Sequence, residues 1–214
     1  MTAADSRRTL VGYPANFILS GRRCVVIGAG RIALRKIEGL LAAGADIEVI
    51  APEAVDGVRA LADAGTVAWS PREFVPADLD DAWLAVTATS TPAVNRAVFL
   101  AGEQRRVWVN AADDPANCSF SLMSVVRQGD IVVTIGTNGR SPALATFLRD
   151  HVATEMGDEY AQLLELLSEE REAIRGSGRS SEDADWRRAL DSGILDLIRA
   201  GREAEARELL RSCL

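Results

Sequence analysis

Three small residues near the amino-terminal end, Gly28, Gly30 and Ala33, have the types and spacing of a dinucleotide-binding turn. They follow the β-branched apolar run 25–27, which is typical of a central parallel strand. Gly28 permits a tight turn, Gly30 lets the backbone approach a pyrophosphate, and Ala33 allows close packing of helix on strand. The next helix would point free N–H groups at the phosphates. A purely structural strand-to-helix turn is the alternative interpretation, because the motif alone is a weak signal.

A ribose-binding acid is expected after the second strand of such a fold. The candidate is Glu53, slightly beyond the predicted strand 47–50, and an ordinary solvated loop glutamate is the alternative. No arginine directly follows that strand to bind a 2′-phosphate, which favours NAD over NADP, although Arg31 places a cation inside the turn. Thr87 and Thr89 follow a later strand and are predicted to line the nicotinamide side.

Two adjacent carboxylates, Asp113 and Asp114, follow the predicted strand 107–109. Ligands bind at the carboxyl edge of a parallel sheet, where this pair would lie. One of two neighbouring carboxylates can have a raised pKa and serve in proton transfer. An Asp-Pro turn without chemistry explains the same residues equally well.

A loop over 136–142 combines glycines, Thr137, an asparagine and Arg140 ahead of a predicted helix. Ser141 is the expected N-cap of that helix and Pro142 its first residue. Such a loop can bind an anion, and an ordinary strand-to-helix connection is the alternative.

The elements that must position these residues alternate between strand and helix up to about residue 110. That alternation predicts an α/β fold with a Rossmann-like, doubly wound parallel sheet. The pattern then changes to two strands without a helix between them, Cys118–Val126 and Asp130–Gly136, and becomes helical and acidic from about Ala153. The two strands indicate an antiparallel appendage to the parallel sheet, followed by two or three further helices.

Composition narrows the functional classes. The net charge of −7 argues against general nucleic-acid binding. The three cysteines lie far apart without a C-x-x-C, and His151 is the single histidine, so we expect neither disulfides nor a resident metal. No apolar run approaches the ~20 residues of a membrane span, and the first residues contain no apolar signal-peptide core. The cytoplasm is the expected location.

Four segments of the sequence, taken in chain order, resemble the corresponding motifs of the precorrin-2 dehydrogenases of sirohaem synthesis. The segments are 13–36 (YPANFILSGRRCVVIGAGRIALRK), 83–89 (WLAVTAT), 110–115 (NAADDP) with Ser119-Phe120, and 139–142 (GRSP). Together they cover the region from about residue 12 to about residue 150, and the ordered set is far more specific than the glycine turn alone.

The resemblance implies NAD-dependent oxidation of precorrin-2 to sirohydrochlorin. It implies three parts: an NAD-binding Rossmann domain at 1–117, a small β-rich dimerisation region at 118–152 and a helical domain at 153–214. The expected assembly is therefore a homodimer. The family's key aspartate falls on Asp113, in the motif that begins at Asn110. The remaining positions that the resemblance assigns to NAD are Arg31, Ile32, Pro52 and Glu53, and those predicted to contact substrate are Asn110, Thr137, Arg140 and Ser141.

Two alternative functions stay open. Some members of the family also insert Fe²⁺ into sirohydrochlorin, and a loop serine found in bifunctional members is replaced here by Thr137. A non-catalytic NAD-sensing module is a rival from another class, although it leaves the Asp113 loop unexplained. A short-chain dehydrogenase is disfavoured, because the single lysine, Lys36, has no tyrosine four residues before it.

Overall fold

The computed structural model describes residues 12–214. These residues divide into two compact units, one that ends at Leu122 and one that comprises Met123–Leu214. The hairpin and the carboxyl-terminal helices both belong to the second unit. The division at 117 and 152 into three functional parts stays a prediction.

In the described part of the first unit, five parallel strands form one sheet in the order β3-β2-β1-β4-β5. The strands are β1 (Arg23–Ile27), β2 (Asp46–Ile50), β3 (Ala68–Ser70), β4 (Leu84–Thr87) and β5 (Trp108–Ala111). The helices are α1 (Arg31–Ala42), α2 (Asp56–Asp63) and α3 (Pro92–Arg105), with 3₁₀ turns at Pro76–Leu79 and Pro115–Asn117. This architecture confirms the predicted Rossmann-like α/β sheet.

The central strand β1 is buried on both faces of the sheet. Since alternate side chains of a strand point in opposite directions, its residues belong to two different core clusters. Cys24 and Val26 pack in the same cluster as Ile37 of α1. Val25 belongs to the opposite cluster with Val98 of α3. Burying each such aliphatic side chain contributes about 1.5–3 kcal/mol, so helices on both faces hold β1 and the turn that follows it in place.

An ion pair between the buried carboxylate of Asp78 and the half-exposed Arg72 holds the crossover between β3 and β4. Asp78 is only 7% exposed, and its carboxylate accepts hydrogen bonds from Arg72 (2.7 and 2.9 Å) and from the Val75 amide (2.8 Å). Burial by itself raises the pKa of Asp78, but these hydrogen bonds and the Arg72 charge outweigh burial and hold the pKa below its usual value. The ionised carboxylate therefore stabilises this segment.

The second unit joins an antiparallel hairpin to a helical bundle. Its strands are β6 (Ser124–Gln128) and β7 (Ile131–Ile135). Its helices are α4 (Pro142–Glu155), α5 (Asp158–Gly176), α6 (Trp186–Leu190), α7 (Ile194–Arg199) and α8 (Glu203–Cys213). Leu166, Ile194 and Leu210 lie in the core of the bundle. The predicted hairpin and helical carboxyl-terminal part are confirmed.

The predicted start of the first hairpin strand at Cys118 is wrong, since β6 begins at Ser124. The residues before β6 pair with β5 instead. The Ser119 amide donates to the Val109 carbonyl at 2.8 Å, and the Cys118 sulfur accepts from the Ala111 amide at 3.1 Å. These bonds fold residues 118–119 back against the parallel sheet.

Candidate cofactor and substrate site

The carboxyl ends of the central strands lie side by side. Ile27 at the end of β1 pairs with Ile50 of β2 and with Thr87 of β4, and Thr87 pairs with Ala111 of β5. The chain turns to opposite faces of the sheet after β1 and β4, which makes their boundary a topological switch point. Ligands of open α/β sheets bind in the crevice at this position.

Gly28 makes the tight turn after β1. Its φ is +99°, a conformation that favours glycine, and its amide donates to the Ile50 carbonyl at 2.9 Å. A Cβ at this position would lie 2.7 Å from the Ala88 carbonyl oxygen. The fold itself therefore requires glycine at position 28.

Gly30 differs, because the fold does not require it. Its φ is −85°, and a Cβ there would meet no atom of the described residues within 4 Å. Gly30 precedes α1, whose first turn has no side-chain cap and no acidic residue within the described chain. Open space beside uncapped helix amides fits a pyrophosphate that approaches the backbone closely.

The residues after Gly30 complete this cradle. Arg31 and Ile32 are exposed in the first turn of α1, where the sequence predicts cofactor contacts. Ala33 is fully buried against the sheet, as the third position of the motif requires.

The loop after β2 lies next to the glycine turn. The Val55 amide donates to the Ala29 carbonyl at 3.0 Å, which ties the two segments together. Pro52 and Glu53 are exposed between the buried residues Ala51 and Ala54. The loop thus offers the Glu53 carboxylate at the edge of the sheet where a ribose is expected.

The two threonines predicted to line the nicotinamide side differ in exposure. Thr87 is completely buried, and its hydroxyl donates to Asn95 Oδ1 at 2.7 Å. Its side chain is thus engaged within the fold rather than open at the sheet edge. Thr89 is partly exposed, and its hydroxyl accepts from the Thr91 amide at 3.2 Å.

Asp113 lies in the loop after β5, exposed and with a left-handed backbone (φ +59°). One strand, β4, separates this loop from the glycine turn, which corresponds to about 10 Å at the usual strand spacing. Asp114 is half-buried, and its Oδ2 accepts from Asn117 at 2.7 Å and from Asn95 at 3.4 Å. The two carboxylates therefore have different surroundings.

Asn110 and Cys118 are structural neighbours of the Asp113 loop. Asn110 is buried, and its amide donates to the Phe120 carbonyl at 3.0 Å. Burial raises the pKa of the Cys118 thiol, the hydrogen bond with the Ala111 backbone partly opposes that effect, and the charge of Asp114 adds the smallest contribution, again upward. Cys118 is therefore protonated at neutral pH.

The third predicted group lies in the second unit. The Thr137 hydroxyl donates to the Ser141 carbonyl at 3.1 Å and accepts from the Ser141 amide at 3.2 Å. Ser141 Oγ accepts from the Leu144 amide, which confirms the predicted N-cap of α4. The Arg140 side chain is exposed. The loop is thus internally braced, with its guanidinium accessible.

The sequence did not single out Asn95 and Asn117, which the structure places against Asp114. A polar residue in the first turn of α3, four positions after Thr91, was the available signal for Asn95. Among residues 12–214, no three His, Cys, Asp or Glu side chains are grouped to hold a metal ion. Over the same residues, no helix has the length and apolarity needed to cross a membrane.

The fold and the glycine turn define a Rossmann-type dinucleotide-binding protein. The family NAD_binding_7, described as "Putative NAD(P)-binding", matches residues 15–124, and the chain belongs to this family. The predicted NAD-type cofactor is consistent with that membership.

Curated relatives cover most of this chain. It is 31% identical over 198 residues to the siroheme synthase of Nitrosococcus oceani and 32% identical over 200 residues to siroheme synthase 1 of Yersinia enterocolitica. Each match covers 92% of this chain but 42% of the relative. The chain thus spans about two fifths of the length of these relatives.

A solved structure matches most of this chain and is itself matched over its full length. SirC, a precorrin-2 dehydrogenase, superimposes with a TM-score of 0.75 at 25% identity, covering 94% of this chain and all of SirC. The likeness therefore extends beyond the parallel sheet into the second unit.

Proposed function

We propose that this protein oxidises precorrin-2 to sirohydrochlorin with NAD⁺ as the hydride acceptor. One observation carries the proposal: the exposed carboxylate of Asp113 follows β5 at the sheet edge where the Gly28 turn follows β1. The match over the full length of a precorrin-2 dehydrogenase and the siroheme synthase relatives support it.

The cofactor would be held by the glycine turn and the loop after β2. The open space at Gly30 and the free amides of α1 would receive the pyrophosphate, with Arg31 and Ile32 beside it. Glu53 would accept hydrogen bonds from ribose hydroxyls, with Pro52 shaping the loop. When bound, NAD⁺ supplies the acceptor for the hydride that leaves the substrate.

The oxidation also releases a proton, for which Asp113 is our proposed base. Its carboxylate is exposed at the carboxyl edge of the sheet, and within residues 12–214 it forms no hydrogen bond or ion pair. A positioned base of this kind typically contributes 10²–10⁴-fold, roughly, to the rate. Asn110 would act beneath it by holding the loop through Phe120.

We propose two further contacts, Thr89 with the cofactor and Arg140 with the substrate. Thr89 is the partly exposed hydroxyl after β4 and would contact the cofactor, whereas Thr87 would support the loop from within. The substrate carries many carboxylates and the protein is acidic, so a local cation must offset the repulsion. The exposed guanidinium of Arg140 is our candidate, with Thr137 and Ser141 holding its loop.

The decisive experiment is anaerobic incubation of the protein with precorrin-2 and NAD⁺ while NADH formation is followed. We expect NADH and sirohydrochlorin to form in equal amounts. NAD⁺ binding without turnover would contradict the proposal and favour a non-catalytic NAD-sensing module. NADP⁺ in a parallel assay tests the cofactor preference.

Insertion of Fe²⁺, as a substrate, is a separate proposal with its own assay. Asp113 is the accessible carboxylate that could take protons from the macrocycle during insertion. Anaerobic incubation of sirohydrochlorin with Fe²⁺ should yield sirohaem faster than the protein-free control if the enzyme is bifunctional. A rate equal to that control would restrict the protein to the dehydrogenase step.

We also propose a homodimer formed through the hairpin of the second unit. Within the described residues both strands of the hairpin have an unpaired edge, and Val125 and Val132 are exposed on one of its faces at 38% and 43%. Pairing with a second copy would cover these two valines and the open strand edges. The cytoplasmic location stays a prediction from the sequence.

A further inference from the structure

A network of buried polar side chains supports the Asp113 loop and takes no part in the proposed chemistry. Thr87, Asn95 and Asn117 are 0%, 5% and 8% exposed. They come from β4, α3 and the 3₁₀ turn after β5. Polar groups are buried at a cost unless they are hydrogen-bonded, so their arrangement is informative.

The hydrogen bonds of this network lead to one carboxylate oxygen, Asp114 Oδ2. The Thr87 hydroxyl donates to Asn95 Oδ1 at 2.7 Å, which orients the Asn95 amide so that Nδ2 donates to Asp114 Oδ2 at 3.4 Å. Asn117 Nδ2 donates to the same oxygen at 2.7 Å. Arg96 in turn donates to Asn117 Oδ1 at 3.3 Å, which fixes that amide as well.

The backbone around Asp114 is held equally closely. Its amide donates to the Ala111 carbonyl at 3.3 Å, and its carbonyl accepts from the Asn117 amide at 3.0 Å. The preceding residue, Asp113, has φ +59°, which costs on the order of 1 kcal/mol for a non-glycine residue. Such a conformation persists only where the surroundings enforce it.

We infer that Asp114 is a positioning residue: anchored by Asn95 and Asn117, it holds Asp113 in the left-handed conformation that presents its carboxylate to substrate. This inference rests on the proposed dehydrogenase function. It also gives a structural reason to distinguish two carboxylates that residue type and spacing alone leave equivalent, since Asp114 Oδ2 already accepts from two donors.

The test compares turnover of precorrin-2 in matched variants. Asp114→Ala removes the acceptor, so we expect kcat to fall at least about tenfold with the NAD⁺ affinity unchanged. Asp114→Asn keeps an acceptor oxygen of the same shape and should recover most of that loss. Asp113→Asn should stay at least about a hundredfold below wild type. Asp63→Asn, an exposed carboxylate at the end of α2, is the control.

Two kinetic outcomes would overturn the inference. One is full activity of Asp114→Ala. The other is an Asp114→Asn variant as inactive as Asp113→Asn, because a required charge would place Asp114 in the chemistry itself. If Asp114→Ala does not fold, Asn117→Ala removes the 2.7 Å bond with the same expected loss of kcat.

A structural readout separates this inference from the proposed function. If wild-type protein does not turn over precorrin-2, the proposed function fails, and the crystal structure of Asp114→Ala decides the inference independently. We expect Asp113 to leave the left-handed region in that variant. An unchanged Asp113 conformation would show that Asp114 does not position it.

Discussion

Gly28 and Ala88 approach so closely that a Cβ on residue 28 would lie 2.7 Å from the Ala88 carbonyl oxygen. The contact joins the turn after β1 to the loop after β4, on either side of the switch point. The Ala88 amide reinforces it by donating to the Ile27 carbonyl at 2.8 Å. The first glycine of the motif is thus fixed by protein packing, whereas Gly30 faces open space.

Gly28→Ala should destabilise the protein by at least about 2 kcal/mol, because alanine is strained at φ +99° and its Cβ cannot avoid backbone atoms. Urea denaturation measures the change in the free energy of unfolding. Gly39→Ala is the matched control. Gly39 lies exposed within α1, and a Cβ added there would meet no atom of the described residues within 4 Å, so this variant should be more stable by about 0.5–1 kcal/mol. Equal stabilities of Gly28→Ala and wild type would contradict the packing argument.

Gly30→Ala should leave the stability nearly unchanged and weaken NAD⁺ binding at least about tenfold. The added methyl group would meet no atom of residues 12–214 within 4 Å, but it would occupy the space through which a pyrophosphate reaches the α1 amides. Calorimetric titration with NAD⁺ measures the affinity, and thermal unfolding checks the fold. An affinity equal to that of wild type would move the cofactor away from this turn.

Asp113→Asn should lower kcat by about 10²–10⁴-fold, because the amide cannot accept the proton that the oxidation releases. NAD⁺ affinity should be unchanged, since the residue follows β5 rather than the glycine turn. Steady-state assays with precorrin-2, with Asp63→Asn as the control, measure both quantities. Retained activity in Asp113→Asn would assign the base elsewhere.

Asp78→Asn should lower the free energy of unfolding at pH 7 by about 1.5–3 kcal/mol, the range for hydrogen bonds to a charged group. The pKa of Asp78 is lower in the folded state than its usual 3.8. Its contribution is therefore complete above that value and is lost as the pH falls through the folded-state pKa. Denaturation curves from pH 7 down to acid should show the difference between wild type and variant shrinking below about pH 4. A difference that persists in acid would contradict this origin.

Val132→Glu should dissociate the proposed homodimer, because it replaces an exposed valine of the hairpin with a carboxylate that a second copy would have to bury. Sedimentation velocity at micromolar concentration measures the assembly. Leu190→Glu on α6 is the control, an exposed apolar residue outside the hairpin. A monomeric wild-type protein, or a dimeric Val132→Glu variant, would contradict the proposed interface.

The parallel sheet was predictable because its signals are local. The run 25–27 predicts a buried strand, and the glycines after it predict a tight turn, whichever residues pack around them. The Ser141 cap and Pro142 were predictable for the same reason. The start of β6 was not, because the bonds of Cys118 and Ser119 to β5 depend on a partner strand nearby in space.

The amino-acid sequence alone predicted the elements of the sheet, the glycine turn and two carboxylates after β5. Residue types and spacing did not distinguish Asp113 from Asp114, and only the family resemblance favoured Asp113. The motif assigned separate roles to Gly28 and Gly30, but it could not show which atoms surround each glycine. Tertiary structure supplied both answers. Ala88 closes the space around Gly28 and leaves Gly30 open, and Asn95 and Asn117 bind the carboxylate of Asp114 while that of Asp113 stays exposed. The partners that make these distinctions come from other elements of the chain, and only folding brings them together.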